Sequence, residues 1–255
     1  MDAFQAFILG LVQGLTEFLP VSSSGHLVLV RDIMGIEGDY IFFDLMLHVG
    51  SLLAIFIIMR KHILALFKPP FGQATLIVIA SIPAVIVGFA MRDVMSRVFG
   101  DAKYLTFFFM FTAIMLLLCQ WLSNKIGDKT TDEVGLKTAI YMGLAQGVAV
   151  FPGISRSGST ITGGIASGSS RASVAIFSFL MSIPIILGGA ILDSATGGIK
   201  DNISWLNIIV GGATSFVSGF FAITLMLKLI AKADFKWFSL YLAILSVVTF
   251  FVYFL

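Results

Sequence analysis

Residues 10–25, GLVQGLTEFLPVSSSG, and residues 143–158, GLAQGVAVFPGISRSG, are one text written twice. Aligned without a gap at an offset of 133 (Gln146 minus Gln13), they agree at eight of sixteen positions: Gly10/Gly143, Leu11/Leu144, Gln13/Gln146, Gly14/Gly147, Phe18/Phe151, Ser22/Ser155, Ser24/Ser157 and Gly25/Gly158. The repeated text is glycine-rich and polar inside an apolar chain. Short apolar segments broken by Gly, Pro and Ser at corresponding places in two halves point to a membrane-buried binding site. The halves run over roughly 1–122 and 137–255 of a single integral membrane domain, 1–255.

Composition sets the class. Hydrophobic residues make up 58% of the 255 and charged residues 12%, where a soluble domain carries about a quarter charged. The apolar runs are continuous rather than alternating, which favours an all-α polytopic membrane protein over a β-barrel. A net charge of +2 and the lack of mixed aromatic and basic clusters argue against a nucleic-acid partner. Cys119 is the sole cysteine, so no intrachain disulfide forms. The first residues, Met1-Asp2, lack the basic start and small-residue cleavage site of a signal peptide; they are expected to belong to the mature fold.

A bilayer core of about 30 Å takes about 20 apolar residues as helix. About six runs qualify: Tyr40–Met59, Thr75–Met91, Tyr104–Leu122, Ala172–Leu192, Trp205–Leu229 and Trp237–Leu255. The two carriers of the repeat, Ala3–Val30 and Thr138–Ser170, start apolar, break at Pro and Ser, then resume. They fit re-entrant helical hairpins, whose irregular backbone is tolerated at depth only beside protein or water. Basic residues gather in three loops: Arg60, Lys61 and Lys68; Lys125, Lys129 and Lys137, diluted by Asp128, Asp132 and Glu133; and Lys228, Lys232 and Lys236. Placing these in the cytoplasm leaves both termini outside. Three crossings then separate Gln13 from Gln146. An odd number inverts the second copy, so the Ser-rich tips are expected to meet near mid-membrane as an inverted-topology repeat.

The chemistry-bearing residues sit at those tips. Gln13 and Glu17 are four apart and share a helix face. A carboxylate at depth costs about 2.5–3.5 kcal/mol on insertion scales. Glu17 therefore lines a polar cavity with a metal, cation or proton as partner, or else lies at the interface. The hydroxyls Ser22, Ser23 and Ser24 and the imidazole of His26 follow; histidine relays protons near neutral pH or binds metal. In the second copy Arg156 stands among Ser155, Ser157 and Thr160. A guanidinium grips phosphate oxygens bidentately, and glycine-opened helix N-termini bind anions. The alternative pairs Arg156 with Glu17 as an ion bridge. Asp44 and His48, four apart within one span, face the same cavity or form a self-contained pair. No H-E-x-x-H, P-loop or G-x-S-x-G motif occurs. Ser24-Gly25-His26 matches a fragment of the type 2 phosphatidic acid phosphatase signature, but no His follows Ser155-Arg156, which excludes that class.

On these residues the chain resembles the undecaprenyl-diphosphate phosphatase family of bacteria, the bacitracin-resistance type. The family pattern Glu/Gln-x-x-x-Glu followed by Pro-Val-Ser-Ser-x-Gly-His matches Gln13 to His26, and Pro-Gly-x-Ser-Arg-Ser-x-x-Thr matches Pro152 to Thr160. The resemblance implies a multi-pass plasma-membrane hydrolase that converts undecaprenyl diphosphate to undecaprenyl phosphate and phosphate, recycling the cell-wall lipid carrier. It implies a divalent metal, Mg2+ or Ca2+, and a site opening to the outer side. It casts Glu17 and His26 as an acid/base or metal-associated pair, Ser23 as phosphate contact or nucleophile, and Arg156 as diphosphate clamp. Gln13, Gln146, Ser22, Ser24, Ser155, Ser157 and Thr160 are the supporting substrate-binding set. Gln13 stands where some members carry Glu, so a metal role falls on Glu17 alone. The implied partners are a polyprenyl diphosphate and the surrounding lipid, with a homodimer as a further candidate. The rival reading from another class is a transporter or channel for an anion or lipid phosphate, since inverted repeats serve transport equally well.

Overall fold

A computed structural model describes residues 1–38, 40–99, 101–126, 130–195, 203–230 and 234–255. The chain runs through α1 (Ala3–Phe18), α2 (Ser23–Ile33), α3 (Ile41–Ile58), α4 (Arg60–Leu66), α5 (Gly72–Ala90), α6 (Arg92–Phe99), α7 (Leu105–Ile126), α8 (Leu136–Val148), α9 (Arg156–Ala166), α10 (Arg171–Ala195), α11 (Trp205–Leu229) and α12 (Phe235–Phe254). Among the described residues there are no strands, only an isolated bridge between Thr131 and Ser169. Among the described residues six helices are long and apolar enough to cross a membrane, in α3, α5, α7, α10, α11 and α12. They match the six runs expected from sequence, with ends shifted by a few residues. Pro83 and Pro184 lie inside α5 and α10, which continue past them. Of the loop charges, Asp128, Lys129 and Lys232 fall outside the described residues.

Local chemistry decides where the repeat-bearing segments break. Asp2 and Gln5 start α1 with a reciprocal capping box. Leu19 ends it in an extended conformation (φ −74°, ψ 149°), as a residue preceding proline must. Ser22 then caps α2, accepting from the Gly25 N–H at 3.4 Å. In the second copy α8 ends at Ala149, ahead of Pro152, and Ser155 caps α9 by accepting from the Gly158 N–H at 3.1 Å.

Small residues bring these helices into close packing. A Cβ on Gly10 would stand 2.3 Å from the Gly211 carbonyl oxygen, and one on Gly14 would stand 2.4 Å from that of Ser215, both in α11. A Cβ on Gly143 would stand 2.7 Å from the Ala80 carbonyl oxygen in α5. Backbone approach of this kind is how helices associate where lipid removes the hydrophobic drive. Hydroxyls stitch other seams: Ser215 donates to the Leu47 carbonyl (2.7 Å), Ser239 to that of Ala113 (2.7 Å) and Ser246 to that of Thr106 (2.6 Å). The main core gathers Phe18, Phe109, Leu116, Phe177 and Phe179. Large apolar side chains such as Phe107, Phe221 and Phe251 face outward, the surface a bilayer would cover.

Candidate active site

The two repeated turns meet. Ser22 sits at φ 70°, ψ 97°, a strained conformation for a residue with a side chain, of the kind held at functional sites. Its hydroxyl also accepts from the Gly153 N–H across the interface at 3.1 Å. Ser157 returns the link by donating to the Leu19 carbonyl at 2.9 Å. Gly25 and Gly153 leave no room for side chains, since a Cβ on Gly25 would lie 2.8 Å from Gly153 Cα. Thr112 of α7 clamps the second turn, donating to the Gly153 carbonyl (2.9 Å) and accepting from the Ser155 N–H (3.2 Å). The N-termini of α2 and α9 therefore converge, and both present positive dipole ends to one place.

Glu17 lies where they converge. Arg156 Nη2 donates to its Oε1 at 2.7 Å. Its Oε2 accepts from Ser23 Oγ at 2.5 Å and from Gln13 Nε2 at 3.0 Å. His48 Nε2 stands 3.8 Å from that same oxygen. The carboxylate is 7% exposed, so an ion pair this deep holds only because its partners are in place. Two polar atoms of the cluster are buried without a protein partner, Arg156 Nη1 and Gln13 Oε1. One is a donor and the other an acceptor, and buried polar groups normally have partners. The pair leaves a place for a ligand that accepts from the guanidinium and for a donor or cation at the amide oxygen.

His26 is oriented differently. Its Nδ1 lies 2.7 Å from the Ser22 carbonyl, and its Nε2 lies 2.7 Å from the hydroxyl of Tyr241 in α12. The ring lies near-parallel to Tyr241, with centroids 5.7 Å apart, and edge-on to Phe109 at 5.4 Å. No hydrogen bond joins it to Glu17, because the ring turns toward α7 and α12 while Ser23 turns toward α1.

The remaining expected residues sort by their bonds. Asp44 pairs with Arg31, and its carbonyl accepts from His48 Nδ1 at 2.8 Å, so the pair reaches Glu17 through His48. Ser24 lies 3.4 Å from the Ser22 hydroxyl, and Ser155 lies 3.3 Å from that of Ser157. Thr160 meets the Ser178 hydroxyl at 2.6 Å and donates to the Arg156 carbonyl at 2.9 Å, holding the helix under the guanidinium. Gln146 is placed elsewhere, its amide donating to the Ala80 carbonyl in α5 at 3.4 Å. Tyr241, Thr112 and Arg31 join the site without a sequence signal, since each lies in an apolar helix far from either motif or in no motif at all. Among the described residues no three His, Cys, Asp or Glu side chains cluster as a metal cage.

The family described as "Bacitracin resistance protein BacA" matches residues 6–248. The chain belongs to this family. Curated relatives agree over nearly the full length. A protein named undecaprenyl-diphosphatase from Carboxydothermus hydrogenoformans is 43% identical, covering 97% of this chain and 96% of its own. Its namesake in Halothermothrix orenii is 37% identical over the same shares. Undecaprenyl-diphosphatase 4 of Bacillus thuringiensis is 37% identical, covering 94% and 93%. Within this family member, Gln13, Glu17 and Ser23 of the first repeated segment and Arg156 of the second meet in one buried cluster.

Proposed function

We propose that this chain is a multi-pass membrane phosphatase that hydrolyses undecaprenyl diphosphate to undecaprenyl phosphate and phosphate, returning the lipid carrier to cell-wall synthesis. The observation that carries this reading is the buried Arg156–Glu17–Ser23 cluster with a guanidinium N–H left over, in a chain of this family. Phosphoryl transfer is mainly positioning and charge stabilisation. Arg156 would exchange its hold on Glu17 for the diphosphate oxygens, helped by the N–H groups opening α2 and α9. Glu17, released from that pairing, would take the proton of Ser23, whose oxygen attacks the terminal phosphorus while undecaprenyl phosphate leaves. Water then frees the phosphate from Ser23, and His26, three residues on in α2, would take up the proton that this second step releases. A nucleophile already hydrogen-bonded to its base is the usual signature of this chemistry.

A hard divalent cation fits the donors present: one carboxylate, Glu17, beside the orphaned Gln13 Oε1. Magnesium is often held by one or two carboxylates plus substrate phosphates rather than an all-protein cage. Bound there, it would neutralise diphosphate charge.

The same reading makes the chain a single domain of two inverted repeats with re-entrant helix pairs, in a bacterial plasma membrane, both termini and the site opening on the outer side. The helices α1 and α2, at 16 and 11 residues, reach only about 24 and 17 Å at 1.5 Å per residue, short of the bilayer core. The packing also exchanges between halves: Gly10 and Gly14 of the first copy rest on α11, and their counterparts Gly143 and Gly147 rest on α5. Labelling cysteines placed near residues 2 and 254 in intact cells with an impermeant reagent tests the topology; inaccessible termini would refute it. For the activity, purified protein in detergent is given polyprenyl diphosphate and metal, and released phosphate is measured. No release, with ion or lipid flux in liposomes, would instead support transport.

A further inference from the structure

We propose that Tyr241 is a positioning residue for His26, which makes α12 part of the site; this rests on the phosphatase reading above. The two bonds of the imidazole fix its tautomer. A carbonyl can only accept, so the nitrogen facing Ser22 O at 2.7 Å carries the hydrogen. In the neutral ring the lone pair is then on Nε2, and the group 2.7 Å away is the Tyr241 hydroxyl, which donates to it. The reactive nitrogen of the one histidine in the repeated motifs is therefore held by a phenol from the last helix. If Nε2 gains a proton, the same hydroxyl rotates from donor to acceptor. One residue thus supports both states of the imidazole without moving a heavy atom.

Three further observations make this a built arrangement. The rings are stacked with an interplanar angle of 13°, so tilt as well as distance is fixed. Phe109 adds an edge-on contact at 5.4 Å. The height of Tyr241 is set by the hydroxyl stitches of α12 to α7 on either side of it, Ser239 to Ala113 and Ser246 to Thr106. A site held to within fractions of an ångström needs second contacts of this kind. Tyr241 is 46% exposed on the outer face of the helices. In lipid its hydroxyl would find no water, and an unpaired polar group there costs several kcal/mol, so the bond to His26 is enforced by the solvent itself. The arrangement has a counterpart across the repeat. In the first half α7 contributes Thr112 to the second turn. In the second half α12 contributes Tyr241 to the helix that opens at the first turn.

The test uses Tyr241→Phe, which keeps the stacked ring and removes only the hydroxyl. Full-length protein with 15N-histidine is compared with the variant by NMR, and the His26 signals are assigned with His26→Gln, which leaves His48 and His62 as the other histidines. The expected result is a downfield move of the His26 Nε2 signal and a kcat about tenfold lower, a fraction of what a proton-transferring group supplies, with KM unchanged. An unchanged His26 spectrum would overturn the pairing. A moved signal with wild-type kcat would overturn the positioning role and leave a merely structural bond. Wild-type protein that releases no phosphate but shows the hydrogen-bonded Nε2 signal would retire the proposed reaction and keep the pairing.

Discussion

In the first turn Ser22 caps α2 through Gly25, and in the second Ser155 caps α9 through Gly158. The caps, the helix starts and the flanking glycines are the same in both copies. The positions aimed at the shared centre are not. Glu17 corresponds to Val150 and Ser23 to Arg156. Had both copies kept a carboxylate, or both a guanidinium, like charges would face each other in a low-dielectric place and one would have to neutralise. Divergence at a few positions makes the two copies of the repeated text complementary, with carboxylate and hydroxyl from one and cation from the other. The retained positions hold the turns together, and the diverged ones bring the opposite charges into contact.

That division is most exposed at Arg156. Arg156→Ala removes the cation of the second turn and leaves Glu17 buried without its counter-charge. Turnover is expected to fall by about 10³-fold, comparable to losing a principal donor to transition-state charge. Arg156→Lys should recover little, because an ammonium cannot grip bidentately. Phosphate release by the purified variants decides it, and near wild-type rates in Arg156→Ala would break the complementarity. Breaking a buried pair costs about 3–5 kcal/mol, so a parallel melting curve should show a lower midpoint.

Glu17→Gln comes next. It keeps the size and a hydrogen-bonding oxygen but loses the charge that, in the proposed reaction, accepts the Ser23 proton. Loss of a base costs about 10²–10⁴-fold, and the metal requirement measured by titration should weaken. Adding Val150→Glu to this variant tests the comparison directly. The second copy would regain the carboxylate spelled by the first, yet rescue is not expected, since Gln146, the counterpart of Gln13, is turned toward α5. Recovery of activity would mean that the copies are interchangeable.

A smaller effect is expected from the shared scaffold. Gly153 adopts φ +89°, and a Cβ there would lie 2.7 Å from the Phe108 Cβ. Gly153→Ala combines backbone strain with overpacking, worth about 1–3 kcal/mol each. The melting midpoint should drop with a partial loss of turnover. An unchanged midpoint would show that the turns do not need this approach.

Much of the architecture was legible because it follows from composition and local rules. Apolar runs of sufficient length gave the six long helices, and Pro20 and Pro152 marked where the repeat-bearing segments break. Glu17, Ser23 and Arg156 could be named because charge and hydroxyls are conspicuous in an apolar chain. Their direct contact could only be expected from span parity. Tyr241 and Thr112 were illegible, since an amphipathic side chain in an apolar helix carries no periodic or motif signal, and its role depends on which helix packs beside it. The orientation of His26 was hidden for a related reason. A carbonyl turned by the unusual backbone of Ser22 sets it, and no residue pattern announces that. Gln146 shows the converse: sharing a letter with Gln13 suggested a shared role, but packing against α5 sends its amide elsewhere.

The two glutamines give the finest test. Gln13 is fully buried, donates to Glu17 at 3.0 Å and leaves Oε1 without a partner. Gln146 is also buried with a spare Oε1, but its amide reaches only the Ala80 carbonyl at 3.4 Å. That carbonyl already lies inside the ladder of α5, so the added bond is weak. Gln13→Leu removes a donor to a buried charge, which is worth about 1.5–3 kcal/mol, and about tenfold in turnover is the expected loss. Gln146→Leu replaces a marginal bond by apolar packing and should leave turnover within about twofold, since replacing a weakly paired polar group by one of similar shape can be nearly neutral. Equal losses in the two variants would mean that the second glutamine also reaches the reacting centre, and the assignment of chemistry to one copy would have to be redrawn.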